Sequence, residues 1–232
     1  AITKKTKAIV PVHFTGLMCD MEKISKIAKK HSLFIVEDAA QAFGAKRNGK
    51  KSGSFSDVAS FSMNCMKVLS GYGEAGAIVT DNKKLYNKIK TLRYSGTLSD
   101  PKKIITNEAL YFSLNHKIDT IQASMLLEMI KELKTKMTRR KKFADLYTKS
   151  LSNIVKCPRV DYNKKNIHSL YTYAIVVNDR DKLMNYLNNN GIETKIYHKP
   201  LIPEGKAYKI YKSGSFPKAK KIESGILSIP CH

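Results

Sequence analysis

Three short stretches hold residue types that could do chemistry together. The first is Glu37-Asp38-Ala39-Ala40-Gln41-Ala42, an acidic pair directly behind the apolar run Leu33-Phe34-Ile35-Val36. The second is Phe61-Ser62-Met63-Asn64-Cys65-Met66-Lys67, where a hydroxyl and then an amine follow another apolar run. The third is the glycine-rich Gly71-Tyr72-Gly73-Glu74-Ala75-Gly76. A carboxylate, a hydroxyl and an amine brought to one place suit pyridoxal phosphate. That cofactor needs a lysine for its Schiff base and an acid facing its pyridine nitrogen, which keeps the nitrogen protonated so that the ring can take up a carbanion's electrons. The amine must be deprotonated to attack, and once released it can carry a proton between substrate and cofactor carbons. Each residue also has a plainer reading. Lys67 on its own is one lysine among 36, Asp38 could cap a helix, Ser62 could be a satisfied core hydroxyl, and Gln41 could bond a backbone group. Gly71 and Gly73 suit a turn at least as well as a phosphate. Cys65 would need a base to act as a nucleophile, and none is identifiable.

The elements that must position these groups can be read from apolar periodicity. Ala8–His13, Leu33–Val36, Val58–Met63 and Ala75–Thr80 read as buried strands. Asp20–Lys30 and Lys83–Arg93 read as amphipathic helices, with Asp20 as an N-cap. Strands alternating with helices imply an α/β fold with a mainly parallel sheet flanked by helices. In such a sheet the strand C-termini gather at one crevice, where ligands bind. Residues 95–114 read as a loop, and Ile118–Leu151 as a long helical region broken near Thr138. After Pro158 come a strand at Tyr171–Val177, a helix at Arg180–Asn190 stopped by Gly191, a strand at Ile192–Tyr197 and a helix at Phe216–Leu227. The division expected is 1–115 as part of a large domain, 116–157 as connecting helices, and 158–232 as a small C-terminal α/β domain. The first strand begins within a few residues of Ala1, so the sheet reads as the later part of a larger one.

Composition narrows the function classes. With 232 residues and 42% hydrophobic content, the chain can bury a core. No apolar run reaches the roughly 18 residues of a membrane span. The start lacks the apolar core of a signal peptide. Four scattered cysteines without a CxxC pair argue for a reducing cytoplasm, and against a disulfide framework or a zinc site. The net charge of +23 invites a nucleic-acid reading, but 36 of the 42 basic residues are lysine and they are spread along the chain. Base and phosphate recognition favours arginine forks. The charge therefore reads as a lysine-rich surface that would attract an anionic small substrate.

These motifs resemble the DegT/DnrJ/EryC1/StrS family of pyridoxal-phosphate sugar aminotransferases. PVHFTG (Pro11–Gly16) is similar to the family's PVHLYG, and VEDAAQAFGA (Val36–Ala45) to its IEDAAQAHGA. Gly49–Asn82 follows its pattern through FS and Lys67, Leu92–Gly96 resembles LRNHG, and Leu114–Ala123 resembles NYRMSELQA. Gly191–Leu201 and Phe216–His232 match late motifs of the small domain, so the likeness covers nearly the whole chain. The resemblance implies the transferase fold type I, with an N-terminal part of the large domain missing here. It implies Lys67 as the Schiff-base lysine, Asp38 facing the pyridine nitrogen, Gln41 against the ring or phenolic oxygen, and Ser62 on the phosphate. Asn115 would reach the phosphate in a neighbouring subunit of a homodimer with shared sites; the residue could equally cap the helix that follows. His13, at a strand end, suits either the core or the substrate side, and His168 and His198 are further substrate-side candidates. Two departures stand out. Asn115-His116-Lys117 replaces the common NYR, and Tyr197-His198-Lys199-Pro200 replaces HYP. The implied reaction moves an amino group from glutamate to a nucleotide-linked keto-sugar for a surface glycan. A dehydratase branch of the family has His where Lys67 stands, so Lys67 favours transamination. An inactive or regulatory homologue, or a basic nucleic-acid-binding module, is the alternative.

Overall fold

The structure is a computed structural model that describes residues 1–97, 108–158, 165–211 and 214–232. Half of the loop expected over 95–114, and the residues just after Pro158, lie outside the described residues. The chain divides into two compact units, Ala1–Lys134 with Tyr162–Tyr171, and Thr135–Asp161 with Thr172–His232. The division falls inside the long helix rather than at its ends.

The first unit is built on a four-stranded sheet. In chain order its elements are β1 (Ala8–Ile9), α1 (Met21–Lys30), β2 (Phe34–Asp38), a small hairpin of β3 (Lys46–Arg47) and β4 (Lys50–Lys51), then β5 (Val58–Ser62), β6 (Gly76–Val79) and α2 (Lys83–Arg93). The sheet order is β1-β2-β5-β6. β1/β2 and β2/β5 are parallel, as the alternation of elements implies. β6 departs from that pattern. It runs antiparallel to β5, with Ser62 opposite Gly76. The expected first strand is shorter than its apolar run, but Val12 still bridges to Asp38. α1 starts where the Asp20 carboxylate accepts from the Lys23 N–H at 3.3 Å, and it buries Met21 and Ala28 against the sheet. Its core partners are Met18, Ile35, Ala39, Ala42 and Ala45. The small size of the three alanines lets the helix and the strand-end turns pack closely. α2 begins at Asn82, whose side chain accepts from the N–H groups of Lys84 and Leu85.

α3 (Thr120–Leu151) is one unbroken helix, in place of the break expected near Thr138 and the pair of connecting helices. Its 32 residues include no Gly or Pro, so nothing in them forces a kink. The second unit adds β7 (Tyr173–Val176), α4 (Arg180–Asn189), α5 (Pro217–Gly225) and β8 (Ile226–Ile229) to the end of α3. β7 and β8 pair antiparallel around Tyr173, Ile175 and Leu227. Two readings change here. The segment Ile192–Tyr197 forms no strand and only bridges Ser228 through Lys195. The last helix stops at Gly225, where a Cβ would meet the Val177 carbonyl at 2.6 Å, and the chain goes on as β8. The buried Arg180 guanidinium donates to the Glu223 carbonyl at 2.8 Å and ties α4 to α5.

Candidate active site

The strand alternation at the end of β2 separates its two acids. Glu37 turns into the core and has no exposed surface, while Asp38 is half-buried at the strand end. Glu37 accepts four hydrogen bonds, from His13 Nε2 at 2.8 Å, Gly53 N–H at 2.9 Å, Phe55 N–H at 3.0 Å and Ser56 Oγ at 2.7 Å. Burial opposes its charge, but these donors prevail and hold the carboxyl below its ordinary range. Burial also opposes a charged His13, and the contacts with Cys19 and Glu37 outweigh it, raising the imidazole to about 9. The Cys19 N–H lies 3.3 Å from Nδ1, where a neutral ring could accept it. The shorter Glu37 pair outweighs that long contact. His13 is fully buried and pairs with Glu37 through Nε2, so it sits behind the strand ends.

Asp38 continues the sheet beyond its last strand pair. Its carbonyl accepts from His13 N–H and its Oδ1 from Ala40 N–H, both at 3.0 Å, while Ala39 N–H reaches the Ser60 carbonyl at 2.9 Å. Oδ2 has no protein partner among the described residues. Gln41 follows in the same turn. Its Oε1 accepts from Thr15 N–H at 2.6 Å, so the backbone-bonding reading of its carbonyl end holds, and Nε2 meets no protein acceptor among the described residues. That bond fixes the turn at Thr15 (φ 57°) and Gly16 (φ 98°).

Lys67 sits in a turn that its own sequence builds. Asn64 Oδ1 accepts from Met66 N–H at 2.9 Å, the Asn64 carbonyl accepts from Lys67 N–H at 2.9 Å, and Asn64 Nδ2 donates to Glu74. An Asn side chain that bonds the backbone two residues on is a self-contained turn former. Val68 and Leu69 are buried and anchor the far side. Ser62, at the end of β5, keeps only a long 3.4 Å contact from Asn64 N–H to its hydroxyl. The third motif closes against α3. Gln122 Oε1 accepts from Tyr72 N–H at 2.9 Å, and a Cβ on Gly71 would lie 2.9 Å from that same oxygen. Gly71 and Gly73 thus serve the turn, one of the two readings open from the sequence.

The segment Ile167–Tyr171, in which the sequence pointed to His168 alone as a site residue, completes the site. The backbone of Ile167 pairs with Lys46, Ser169 Oγ donates to the Gln41 carbonyl at 2.8 Å, and Tyr171 N–H donates to the Thr15 carbonyl at 3.0 Å. The Tyr171 ring then lies 4.5 Å from Lys67 Nζ. A chain of contacts therefore runs from Gln41 through Thr15, Ser169 and Tyr171 to Lys67. Tyr171 was expected to open a strand, but β7 starts only at Tyr173. No spacing signal could have shown its role, because Ser169 and Gln41 are 128 residues apart. Glu37 was also passed over as a support, although strand alternation assigns the two acids to opposite faces.

The remaining candidates lie elsewhere. His168 is buried in that added segment. Its Nδ1 accepts from Leu170 N–H at 2.9 Å, Nε2 has no hydrogen-bond partner among the described residues, and burial pulls the imidazole down to about 4. Asn115 is exposed. It bridges to Tyr94 and accepts from Lys117 N–H at 3.4 Å, so it does not cap α3, which begins at Thr120. His198 is half-buried in the second unit, and burial lowers its imidazole. Among the described residues no helix is long and apolar enough to cross a membrane.

Comparison with known proteins adds independent findings. The sequence pattern of the DegT/DnrJ/EryC1/StrS aminotransferase family matches residues 1–232. The chain is 38% identical over 237 residues to the pleiotropic regulatory protein of Geobacillus stearothermophilus, covering 99% of this chain and 61% of that protein. It is 37% identical over 231 residues to the dTDP-3-amino-3,6-dideoxy-alpha-D-galactopyranose transaminase of Aneurinibacillus thermoaerophilus, again covering 99% of this chain and 61% of that one. A solved DegT DnrJ EryC1 StrS aminotransferase from Brucella abortus superposes with a TM-score of 0.88 at 33% identity, over 97% of this chain and 59% of that structure. The chain thus spans about 61% of the curated relatives it matches.

Proposed function

The chain belongs to the DegT/DnrJ/EryC1/StrS aminotransferase family, and from that premise we propose that it is the catalytic portion of a pyridoxal-phosphate-dependent nucleotide-sugar aminotransferase. It transfers an amino group from an amino acid, glutamate by analogy, to a nucleotide-linked keto-sugar. The residues fit the cofactor. A half-buried lysine amine, a carboxylate with an unused oxygen on Asp38 and a weakly engaged hydroxyl on Ser62 stand at the ends of neighbouring strands or just beyond them. Lys67 would hold the cofactor covalently, Asp38 would face its ring nitrogen, Ser62 its phosphate, and Gln41 would turn Nε2 to its ring side. When bound, pyridoxal phosphate supplies the electron sink for the carbanion that amino transfer requires.

The other steps belong to the chain's own groups. Asp38, tied by Oδ1 to the Ala40 N–H, keeps its orientation while offering Oδ2. The Glu37–His13 pair fixes the strand end behind it without entering the site. Lys67 Nζ, once free, would take a proton from the amino donor's carbon and deliver it to the cofactor's carbon, and its reach is set by the Asn64 turn. The net charge of +23 draws a nucleotide diphosphate toward the protein. In this reading the protein works in the cytoplasm for surface-glycan synthesis, and pairs as a homodimer in which Asn115 meets the neighbouring site's phosphate. Of the histidine candidates, His198 remains on the substrate side, while His13 and His168 are buried and act as supports.

The observation that carries the reading is the contact chain from Gln41 to Lys67. The test is a spectrum of the full-length protein with pyridoxal phosphate before and after borohydride, followed by peptide mapping. A reduced adduct on Lys67, absent in Lys67→Ala, is expected. An adduct on another lysine, or none, would sink the assignment. The name of the Geobacillus relative favours a second, regulatory reading. Adduct formation without amino transfer to any keto-sugar nucleotide would select it.

A further inference from the structure

We propose that Ile167–Tyr171 is a strap that seats Lys67, with the face of the Tyr171 ring as its positioning surface. The proposal rests on the assignment of Lys67 as the cofactor-holding amine. The strap is pinned along its length. Ile167 exchanges two backbone hydrogen bonds with Lys46 at 2.9 Å, Ser169 N–H donates to the Gly16 carbonyl at 3.1 Å, and Tyr171 N–H donates to the Thr15 carbonyl at 3.0 Å. Between these pins the backbone makes one sharp move. Leu170 takes φ 53°, a left-handed conformation that a bulky side chain adopts only when its surroundings enforce it. The enforcing groups are visible. His168 Nδ1 closes the turn on the Leu170 N–H, and the Leu170 side chain is buried. The outcome is that Tyr171, itself 9% exposed, presents its ring to Lys67 Nζ at 4.5 Å, within cation–π range.

A lysine that is released and recaptured in each half-reaction needs a defined resting place, since its four-carbon stem is otherwise free to wander. The ring supplies that place from a backbone held by buried hydrogen bonds. Tyr171 is thus a positioning residue, and His168 acts through it.

The test uses the full-length protein without added cofactor and measures acylation of individual lysines by mass spectrometry. The exposed Lys23 serves as the internal reference. Tyr171→Leu should raise acylation of Lys67 relative to Lys23 by about threefold or more, the range that loss of one cation–π contact corresponds to. It should also slow imine formation with pyridoxal phosphate, followed by absorbance. Tyr171→Phe keeps the π face and should stay within about twofold of the parent, a distinction that a purely structural role would not make. If Tyr171→Leu does not fold, His168→Leu, which leaves the ring in place but removes the turn's acceptor, should shift Lys67 in the same direction. Equal labelling in the parent, Leu and Phe proteins would overturn the strap while leaving a mapped Lys67 adduct intact. An adduct elsewhere removes the premise instead, so the two failures are distinguishable.

Discussion

Replacing Glu37 with Leu tests the support behind the strand ends. The change nearly conserves volume, so its cost comes from polar groups rather than from a cavity. Four donors lose their acceptor: His13 Nε2, the Gly53 and Phe55 N–H groups and Ser56 Oγ. Ser56 keeps the Val58 carbonyl at 3.0 Å, so it contributes little. Gly53 and Phe55 lie in a part-buried loop and can partly rehydrate. His13 cannot, because it is fully buried and loses its counter-charge. Removing one partner of a buried ion pair costs about 3–5 kcal/mol. That is a large share of the 5–15 kcal/mol typical of a folded domain. The assay is urea unfolding of Glu37→Leu, His13→Leu and the double variant at unchanged m-value. The double variant should be more stable than additivity of the two single losses allows, by roughly 1.5 kcal/mol or more, because the second change removes a group already left unpaired. The pH course should follow His13. Its folded value is raised to about 9, so the stabilisation is complete below about 6.5 and lost as the pH rises through 9. A loss under about 1 kcal/mol in Glu37→Leu, or strict additivity in the cycle, would refute the account.

Other outcomes follow from the same geometry. His168 has its folded value lowered to about 4, so its contribution is complete above about 6.5 and fades as the unfolded chain takes up its proton; about 3 kcal/mol should be lost by pH 4, and His168→Gln should remove that part of the acid limb in a stability-against-pH series. Gly16→Ala should destabilise by about 2–4 kcal/mol in thermal melts, since Gly16 has φ 98° and a Cβ there would press on Ser169 Oγ and lie 2.9 Å from the Gln41 carbonyl; a change within about 0.5 kcal/mol would contradict the close approach. Lys67→Ala should leave the unfolding midpoint within about 1 kcal/mol of the parent, because the residue is half-buried with no salt bridge among the described residues; a large loss would mean that its role is structural.

Much of the site was legible in the sequence because its parts are local. The Asp38 strand end, the Ser62–Lys67 spacing and the Asp20 cap each depend on neighbours a few residues away, so periodicity and motif suffice to place them. The same holds for α2, whose apolar spacing places it at Lys83–Arg93. The antiparallel β6, the unbroken α3 and the terminal β8 were not legible. Strand direction depends on which backbone groups pair in the folded sheet, helix continuity on packing along all 32 residues of α3, and β8 on pairing with a segment far away in sequence.

The tertiary structure decided the questions that depend on burial and on distant partners. The sequence by itself determined that a carboxylate and an amine follow two strands of one sheet, because local pattern sets strand ends and alternation sets faces. It did not determine which acid faces inward, since Glu37 and Asp38 have nearly the same chemistry. Only the His13, Gly53, Phe55 and Ser56 donors identify the buried one. Nor did it determine that Tyr171 meets Lys67. That contact exists because Gly16, Thr15 and Gln41 hold a strap from the other end of the chain, and hydrogen bonds between residues so far apart leave no periodic trace.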